Sequence, residues 1–408
     1  MRRLRLLTAG ESHGPALVGV LEGLPAGLPI STRQVNRDLR RRQHGYGSGR
    51  RMLIERDHVH WMAGLRYGRT LGSPLGFVVE NRDWANWTDR MAVEAVPVER
   101  RPKKITRARP GHADLAGAIK YDSDDMREVL ERASARSTAA RAVAGAVARQ
   151  LLGSVGVRIW SFVDQLGSVR AFPDGATALE GVPPGWWRDD LRAPSPLRCP
   201  DSAAELRMLA DIDAVKAAGD SIGGSFVVVA EGLPMGLGSD AEWDTRLDGT
   251  LAQALMAIPA VKGVEIGLGF GVVTRRGSEV HDVVEPGGAG WARSSNNAGG
   301  IEGGMSNGAP LVLRAAVKPV ATLRRSLPSV DLLSGESAPA HIERSDVAIL
   351  PRAAIVGEAM VALLLADELL ATFGGDTLGD VRAAVARRRR RSRGPGARGP
   401  GARAPKRR

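Results

Sequence analysis

From Ala135 to Leu152 the chain is alanine-rich and free of proline, and intrinsic propensity commits that stretch to a helix. Around it, short apolar runs and helical patterns interleave irregularly, with no internal repeat. Leu4 to Thr8, Leu17 to Glu22, Met52 to Met62, Leu75 to Glu80, Ser225 to Glu231 and Leu311 to Val317 read as strands. Ser31, with Gln34 three residues on, opens a helix running through Arg42, with Val35 and Leu39 marking its apolar face. Further helices are expected near Asp201 to Ala218, Asp244 to Met256 and Pro351 to Phe373. This order predicts an α+β or layered β-α-β body rather than a doubly wound parallel sheet.

A chain of 408 residues with 43% hydrophobic content can bury a sizeable core, as two or three domains or as one large body. The single cysteine, Cys199, rules out an intrachain disulfide framework and suits a reducing, cytoplasmic setting. The net charge of +12 suggests a polyanion partner until its location is considered. From Arg387 to Arg408 there are ten Arg and one Lys and no acid, so the rest of the chain is close to neutral. That segment, with its Gly-Pro-Gly-Ala-Arg units, reads as a disordered basic tail, able to touch nucleic acid only non-specifically. The longest apolar run, Ala359 to Ala366, falls well short of the ~20 residues a membrane helix needs. Glu11 and His13 interrupt the N-terminal apolar run before a signal peptide could form, so the expected location is the cytoplasm.

Chemistry-bearing residues gather at turns. Gly10-Glu11-Ser12-His13-Gly14 matches the G-x-S-x-G pattern, but Pro15 and a second strand follow where a hydrolase elbow would enter a helix. What remains is a histidine in a turn that lets a ligand approach. A second histidine sits in Arg107-Ala108-Arg109-Pro110-Gly111-His112-Ala113-Asp114. Guanidinium groups beside an imidazole suit an anionic substrate whose leaving group must be protonated. His58 and His60 share one strand face without a third metal ligand, so no metal site is expected. P-loop and Rossmann signatures are absent. The segment Gly299 to Gly308 holds five glycines and permits close backbone approach to a ligand. Arg42, Arg50, Arg51, Arg132, Arg136 and Arg344 would supply donors for carboxylates and a phosphate.

Taken together, these signatures resemble the chorismate synthase family from Thr8 to about Leu378. Gly10-Glu11-Ser12-His13-Gly14, Arg132-Ala133-Ser134-Ala135-Arg136 and Arg344-Ser345-Asp346 carry the resemblance. The loop from Arg109 to Asp114, the segment Val261-Lys262-Gly263-Val264-Glu265-Ile266-Gly267 and the glycine-rich loop agree with it. It implies an α+β fold, a β-α-β sandwich of antiparallel sheets with helices, over residues 1–386. It also implies a homotetramer that binds reduced FMN and eliminates phosphate from 5-enolpyruvylshikimate 3-phosphate. The flavin undergoes no net change in this reaction, so it must arrive reduced, from a separate flavin reductase with NADPH as the indirect reductant.

By this resemblance His112 protonates the departing phosphate and His13 protonates or stabilises the flavin. Asp346 assists proton abstraction through the flavin, with Ser12 and Ser134 supporting the relay. Arg132, Ala133, Ser134, Ala260, Gly303, Lys318, Pro319, Val320, Ala321, Thr322 and Arg344 are the implied FMN contacts. Arg42, Ser48, Arg51 and Arg136 are the implied holders of substrate anions or NADP. Four positions depart from the family pattern: Ser48 for Arg, Ser137 for Glu, Pro259 for Asn or Gln, and Leu268 for Asp. They keep two alternatives open, a diverged paralogue acting on a related phosphorylated substrate and a silent flavin- or nucleic-acid-binding relative.

Overall fold

The computed structural model describes residues 3–48, 55–172, 179, 181–183, 185–186, 195–287, 290–343 and 346–392. Two antiparallel sheets enclose a layer of helices. The first sheet is built from β1 (Arg5–Ala9), β2 (Ala16–Glu22), β3 (His60–Ala63) and β4 (Leu75–Glu80), in the order β1-β2-β4-β3. The second is built from β5 (Arg158–Leu166), β6 (Val169–Arg170), β7 (Gly224–Glu231), β8 (Val261–Ile266) and β9 (Leu311–Val317), in the order β8-β9-β7-β5-β6.

Eight helices matter to the site and its frame. They are α1 (Thr32–Gln43), α2 (Asp114–Tyr121), α3 (Arg127–Ala133), α4 (Thr138–Gly153), α5 (Ser202–Ala217), α6 (Leu247–Met256), α7 (Leu350–Phe373) and α8 (Leu378–Ser392). The middle layer is α4 against α7, with α1 packed on both. α4 meets β1, β2 and β4, while α7 meets β5 and β7, which gives the expected β-α-β sandwich.

Small residues make that middle layer possible. A Cβ on Gly145 of α4 would lie 2.4 Å from the Ala359 Cα of α7, so the two backbones nearly touch. Both helices are buried around most of their circumference, as their alanine and leucine content requires. At the centre of α7, Glu358 is enclosed and receives Arg41 Nη1 and Nη2 at 2.8 Å, Arg149 Nη1 at 2.8 Å and Ser161 Oγ at 2.7 Å.

Most predicted elements appear within a residue or two. Ser31 caps α1, its side chain accepting from Gln34 N. The alanine-rich helix begins with a 3-10 turn, Ala135–Ser137, before α4 proper. The expected strand from Met52 to Met62 is shorter: residues 52–54 lie outside the described residues, and 55–59 form an irregular loop. Glu55 and Asp57 are buried there against Arg136, and no neighbouring strand pairs with this stretch among the described residues. β5, β8, α2, α3 and α8 are further elements that the apolar pattern did not disclose. The boundary drawn at residue 386 from charge falls inside α8, which is helical to Ser392. Arg388 Nη1 donates to the Met235 and Gly236 carbonyls, and Arg389 Nη2 to that of Gly232, so the first basic residues cap a loop of the folded body. Residues 393–408 and most of 173–194 lie outside the described residues.

Candidate active site

The candidate residues come from loops at the rims of the two sheets. The Gly10–Gly14 turn joins β1 to β2, and Asn81, just after β4, braces it: Asn81 Nδ2 donates to the Glu11 carbonyl at 3.1 Å and the Gly14 carbonyl at 2.7 Å. Lys318 follows β9 and Ala260 precedes β8, its antiparallel neighbour, so both lie at one end of the second sheet. Lys318 N donates to the Ala260 carbonyl at 2.9 Å.

Each histidine stands in the same three-part arrangement. His13 Nδ1 lies 2.9 Å from Glu131 Oε2, and Arg127 Nη1 donates to Glu131 Oε1 at 2.9 Å. His112 Nδ1 lies 2.5 Å from Asp114 Oδ1, and Arg109 Nε donates to Asp114 Oδ2 at 2.8 Å. Glu343 joins the two, with an oxygen 3.4 Å from Arg127 Nη2 and another 3.7 Å from Arg109 Nη1. A continuous polar chain therefore runs from His13 to His112.

Charge and burial set its electrostatics. Burial opposes ionisation of Asp114, but the hydrogen bonds and charges of His112 and Arg109 outweigh it and hold the carboxyl well below its ordinary range. Glu131 is likewise lowered: burial opposes, and His13, Ser12 and Arg127 prevail. Glu343 falls to about 2, burial being overcome by His341, Arg109 and Arg127. All three carboxylates are ionised at neutral pH, so each histidine faces a fixed negative charge on Nδ1. No described residue hydrogen-bonds His112 Nε2, and the side chain is about one-fifth exposed.

A second run of contacts closes the circuit. Lys318 Nζ donates to the Gly111 carbonyl at 2.5 Å, and Arg109 Nη1 to Thr322 Oγ1 at 3.0 Å. Gly111 has a φ of +78°, and a Cβ there would lie 3.3 Å from Lys318 Nζ, so the turn is bare where the lysine crosses it. Ala260 is also left-handed at +72°, a strained setting for a residue with a Cβ. Upstream of it, the Ala257 carbonyl accepts from Arg141 Nη1 at 2.9 Å. Arg141 has its pKa lowered by burial and by the like charge of Arg132. Arg132 in turn donates to the Gly10 and Thr8 carbonyls, returning to the histidine turn. Neither arginine is ion-paired among the described residues.

Other expected residues take different places. Arg136 is buried, donating to Asp57 Oδ1 at 2.6 Å and Asn81 Oδ1 at 2.7 Å. Arg42, also buried, donates to Thr138 Oγ1 at 3.0 Å and the Ala135 carbonyl at 2.9 Å. Both tie the walls of the site to α1 and α4. Ser134 accepts from Arg136 N, and Ser12 Oγ donates to Glu131. Asp346 pairs with Arg352 in the first turn of α7. Ser48 donates to the Gly45 carbonyl, and Val347 N to that of Gly47, which sets Ser48 beside the Asp346 segment. Pro319, Val320 and Ala321 lie with Lys318 and Thr322; the Val320 carbonyl accepts from Ser221 Oγ. Gly303 sits at the tip of the hairpin Ile301–Ser306, which leans on Gly238 and Leu247. Arg50, Arg51 and Arg344 lie outside the described residues.

Sequence reasoning missed Glu131, Arg127, Glu343 and Trp87. Trp87 stacks on His13 with ring centroids 3.8 Å apart. The available signal was adjacency: Glu131 immediately precedes the Arg132 to Arg136 signature, and Glu343 precedes Arg344.

Comparison with known proteins identifies the family. A family model described as chorismate synthase matches residues 4–370. The chain is 53% identical over 386 residues to the chorismate synthase of Symbiobacterium thermophilum, covering 92% of this chain and 96% of that protein. It is 52% identical over 389 residues to that of Rubrobacter xylanophilus, covering 95% and 97%. A solved structure described as a crystal structure of chorismate synthase superposes with a TM-score of 0.76 at 39% identity, over 96% of this chain and 99% of that one.

Proposed function

The chain belongs to the chorismate synthase family, and from that premise we propose how its residues carry the family's reaction. That reaction is the anti 1,4-elimination of phosphate from 5-enolpyruvylshikimate 3-phosphate to give chorismate. The C–H bond to be broken is not acidic and the leaving group is an anion. A base alone is therefore insufficient, and protonation of phosphate lowers the barrier to its departure.

The observation that carries the reading is the His112–Asp114–Arg109 arrangement. Asp114 is ionised and holds Nδ1, which leaves Nε2 as the nitrogen that faces phosphate. Lys318 stands beside the same turn as a point charge for the departing anion. His13 serves the flavin end of the polar chain. Arg42 and Arg136 act behind the site, holding its walls, while Arg51, Arg344 and Ser48 remain the candidates for direct contact with substrate anions or NADP.

The donor set suits FMN. Arg132 and Arg141 are neighbouring cations without an acid between them, which an anionic group would relieve. Ser134 and Thr322 add hydroxyls, and the Ala260 and Lys318–Thr322 segments add backbone at one rim. When bound and reduced, the flavin lends electron density transiently to the allylic system. Ser12, Ser134 and Asp346 keep their proposed supporting roles in proton movement. A homotetramer in the cytoplasm, supplied with reduced flavin by a separate reductase, completes the reading.

Anaerobic phosphate release from the substrate, with chemically reduced FMN, tests it. Wild-type protein is expected to turn over, and His112→Ala to lose on the order of 10²–10⁴-fold in rate. Unchanged phosphate release by His112→Ala would remove the assigned role.

A further inference from the structure

The carboxylate of Glu131 has an unusual set of neighbours. Oε2 accepts from His13 N at 3.0 Å, Oε1 accepts from Arg127 Nη1 at 2.9 Å, and Ser12 Oγ donates to Oε2. A backbone N–H and a guanidinium are obligate donors, so each oxygen already faces a group that can only donate. His13 Nδ1 lies 2.9 Å from one of these oxygens and 3.0 Å from the other. Nδ1 thus faces both oxygens of one carboxylate, and the Ser12 hydroxyl 3.3 Å away gives its proton to Oε2, so the ring nitrogen must itself carry a proton. Flipping the ring would set Cδ2–H against the carboxylate and lose both contacts, and stacking on Trp87 at an interplanar angle of 18° fixes the plane of the ring. Arg127 and Arg90 lie over the same indole at 5.1 and 5.4 Å, which keeps it in place.

We propose that Glu131 is the positioning residue of His13, holding it in one tautomer with the proton on Nδ1, so that Nε2 is the nitrogen that exchanges a proton. This inference rests on the reading that His13 serves the flavin end of the site. The tautomer itself is measurable without flavin or substrate.

The geometry also says what would break it. In Glu131→Gln the amide NH₂ must replace one oxygen, and either placement sets donor against donor, at His13 N or at Arg127. Because Nδ1 lies within 3.0 Å of both arms, it then meets an NH₂ donor, which prefers an unprotonated Nδ1, beside the remaining carbonyl acceptor. The expected result is a shift of the proton toward Nε2.

The test is ¹⁵N NMR of the imidazole rings in the full-length protein, with no flavin added. Seven histidines are present, and a His13→Gln sample identifies the His13 signals by subtraction. In wild-type protein the neutral ring of His13 is expected to be predominantly the Nδ1–H form, and in Glu131→Gln to shift measurably toward the Nε2–H form. His112, held by Asp114, is the internal reference and should not change. A wild-type ring that is mainly Nε2–H overturns the proposal, and so does a Glu131→Gln ring with the wild-type tautomer balance. If the variant does not fold, the wild-type spectrum alone decides. In anaerobic turnover the Glu131→Gln kcat should fall at least tenfold with a smaller change in KM. Rescue of kcat by the glutamine would contradict the role. Absence of turnover in wild-type protein would instead count against the functional reading and leave the tautomer result standing.

Discussion

Glu358 and Glu131 are both buried carboxylates held by arginine, and their surroundings differ in one respect that separates frame from site. Around Glu358 the partners among the described residues are arginines and a serine, at the meeting of α1, α4, β5 and α7. Around Glu131 one partner is a histidine at the rim, and through Arg127 and Glu343 the chain continues to a second histidine. The first network closes on itself and contributes only to the packing of the helical layer. The second ends in ring nitrogens that can exchange protons. Arginine paired with carboxylate is therefore no signature of function by itself; a titratable group at the end of the pair is.

The comparison breaks most visibly at Glu358. Glu358→Ala leaves Arg41 and Arg149 with Asp38 as the acid they still share, and a loss of about 3 kcal/mol in unfolding free energy is expected. Urea denaturation would read it. The rate per folded molecule should be unchanged, and a change in that rate would place the inner network in the chemistry after all.

Acid sharpens the same contrast. Glu358 and Glu343 titrate at about 2 in the folded chain, below the ordinary 4.5; burial opposes this, and the surrounding arginine charges, with the His341 hydrogen bond to Glu343, outweigh it. A carboxyl with a lowered folded pKa contributes stability that is present above about 4.5 and is lost as pH falls toward 2, because the unfolded chain takes up the proton first. Denaturation midpoints measured from pH 6 to 3 should begin to fall below about 4.5. Glu358→Gln should flatten that fall, and an unaltered slope would mean that other groups dominate it.

The smallest effect is expected at the C-terminal end. Ending the chain after Ser392 should leave melting and turnover unchanged. Ending it after Ala386 removes the Arg388 and Arg389 caps on the 232–236 loop, and a melting drop of about 1–2 °C follows if each partly exposed bond contributes a fraction of a kcal/mol. Equal melting of the two truncations would show that the caps contribute nothing.

Much of this was legible in the sequence because the signals were local. The alanine-rich run, the Ser31 cap and the β-rich runs each specify their own backbone, and the glycine turns announce where a ligand can approach. The histidines and the loop from Arg109 to Asp114 could be singled out for the same reason. What escaped is non-local. Nothing near Glu131 shows that it meets a histidine 118 positions away, or that Glu343 spans two arginines 216 and 234 positions distant. Arg42 and Arg136 looked like anion donors because a guanidinium reads the same in sequence whether it faces a ligand or a buried Asp57. The tail was misjudged at its start because composition cannot show that the first arginines continue α8 and cap carbonyls.

The separation of frame from site is tested most directly by measuring anaerobic turnover and melting temperature together for Glu131→Gln and Glu358→Gln. The account predicts that Glu131→Gln loses at least tenfold in kcat per folded molecule, while Glu358→Gln melts lower and keeps the wild-type rate per folded molecule. Turnover that follows melting temperature alike in both variants would contradict it.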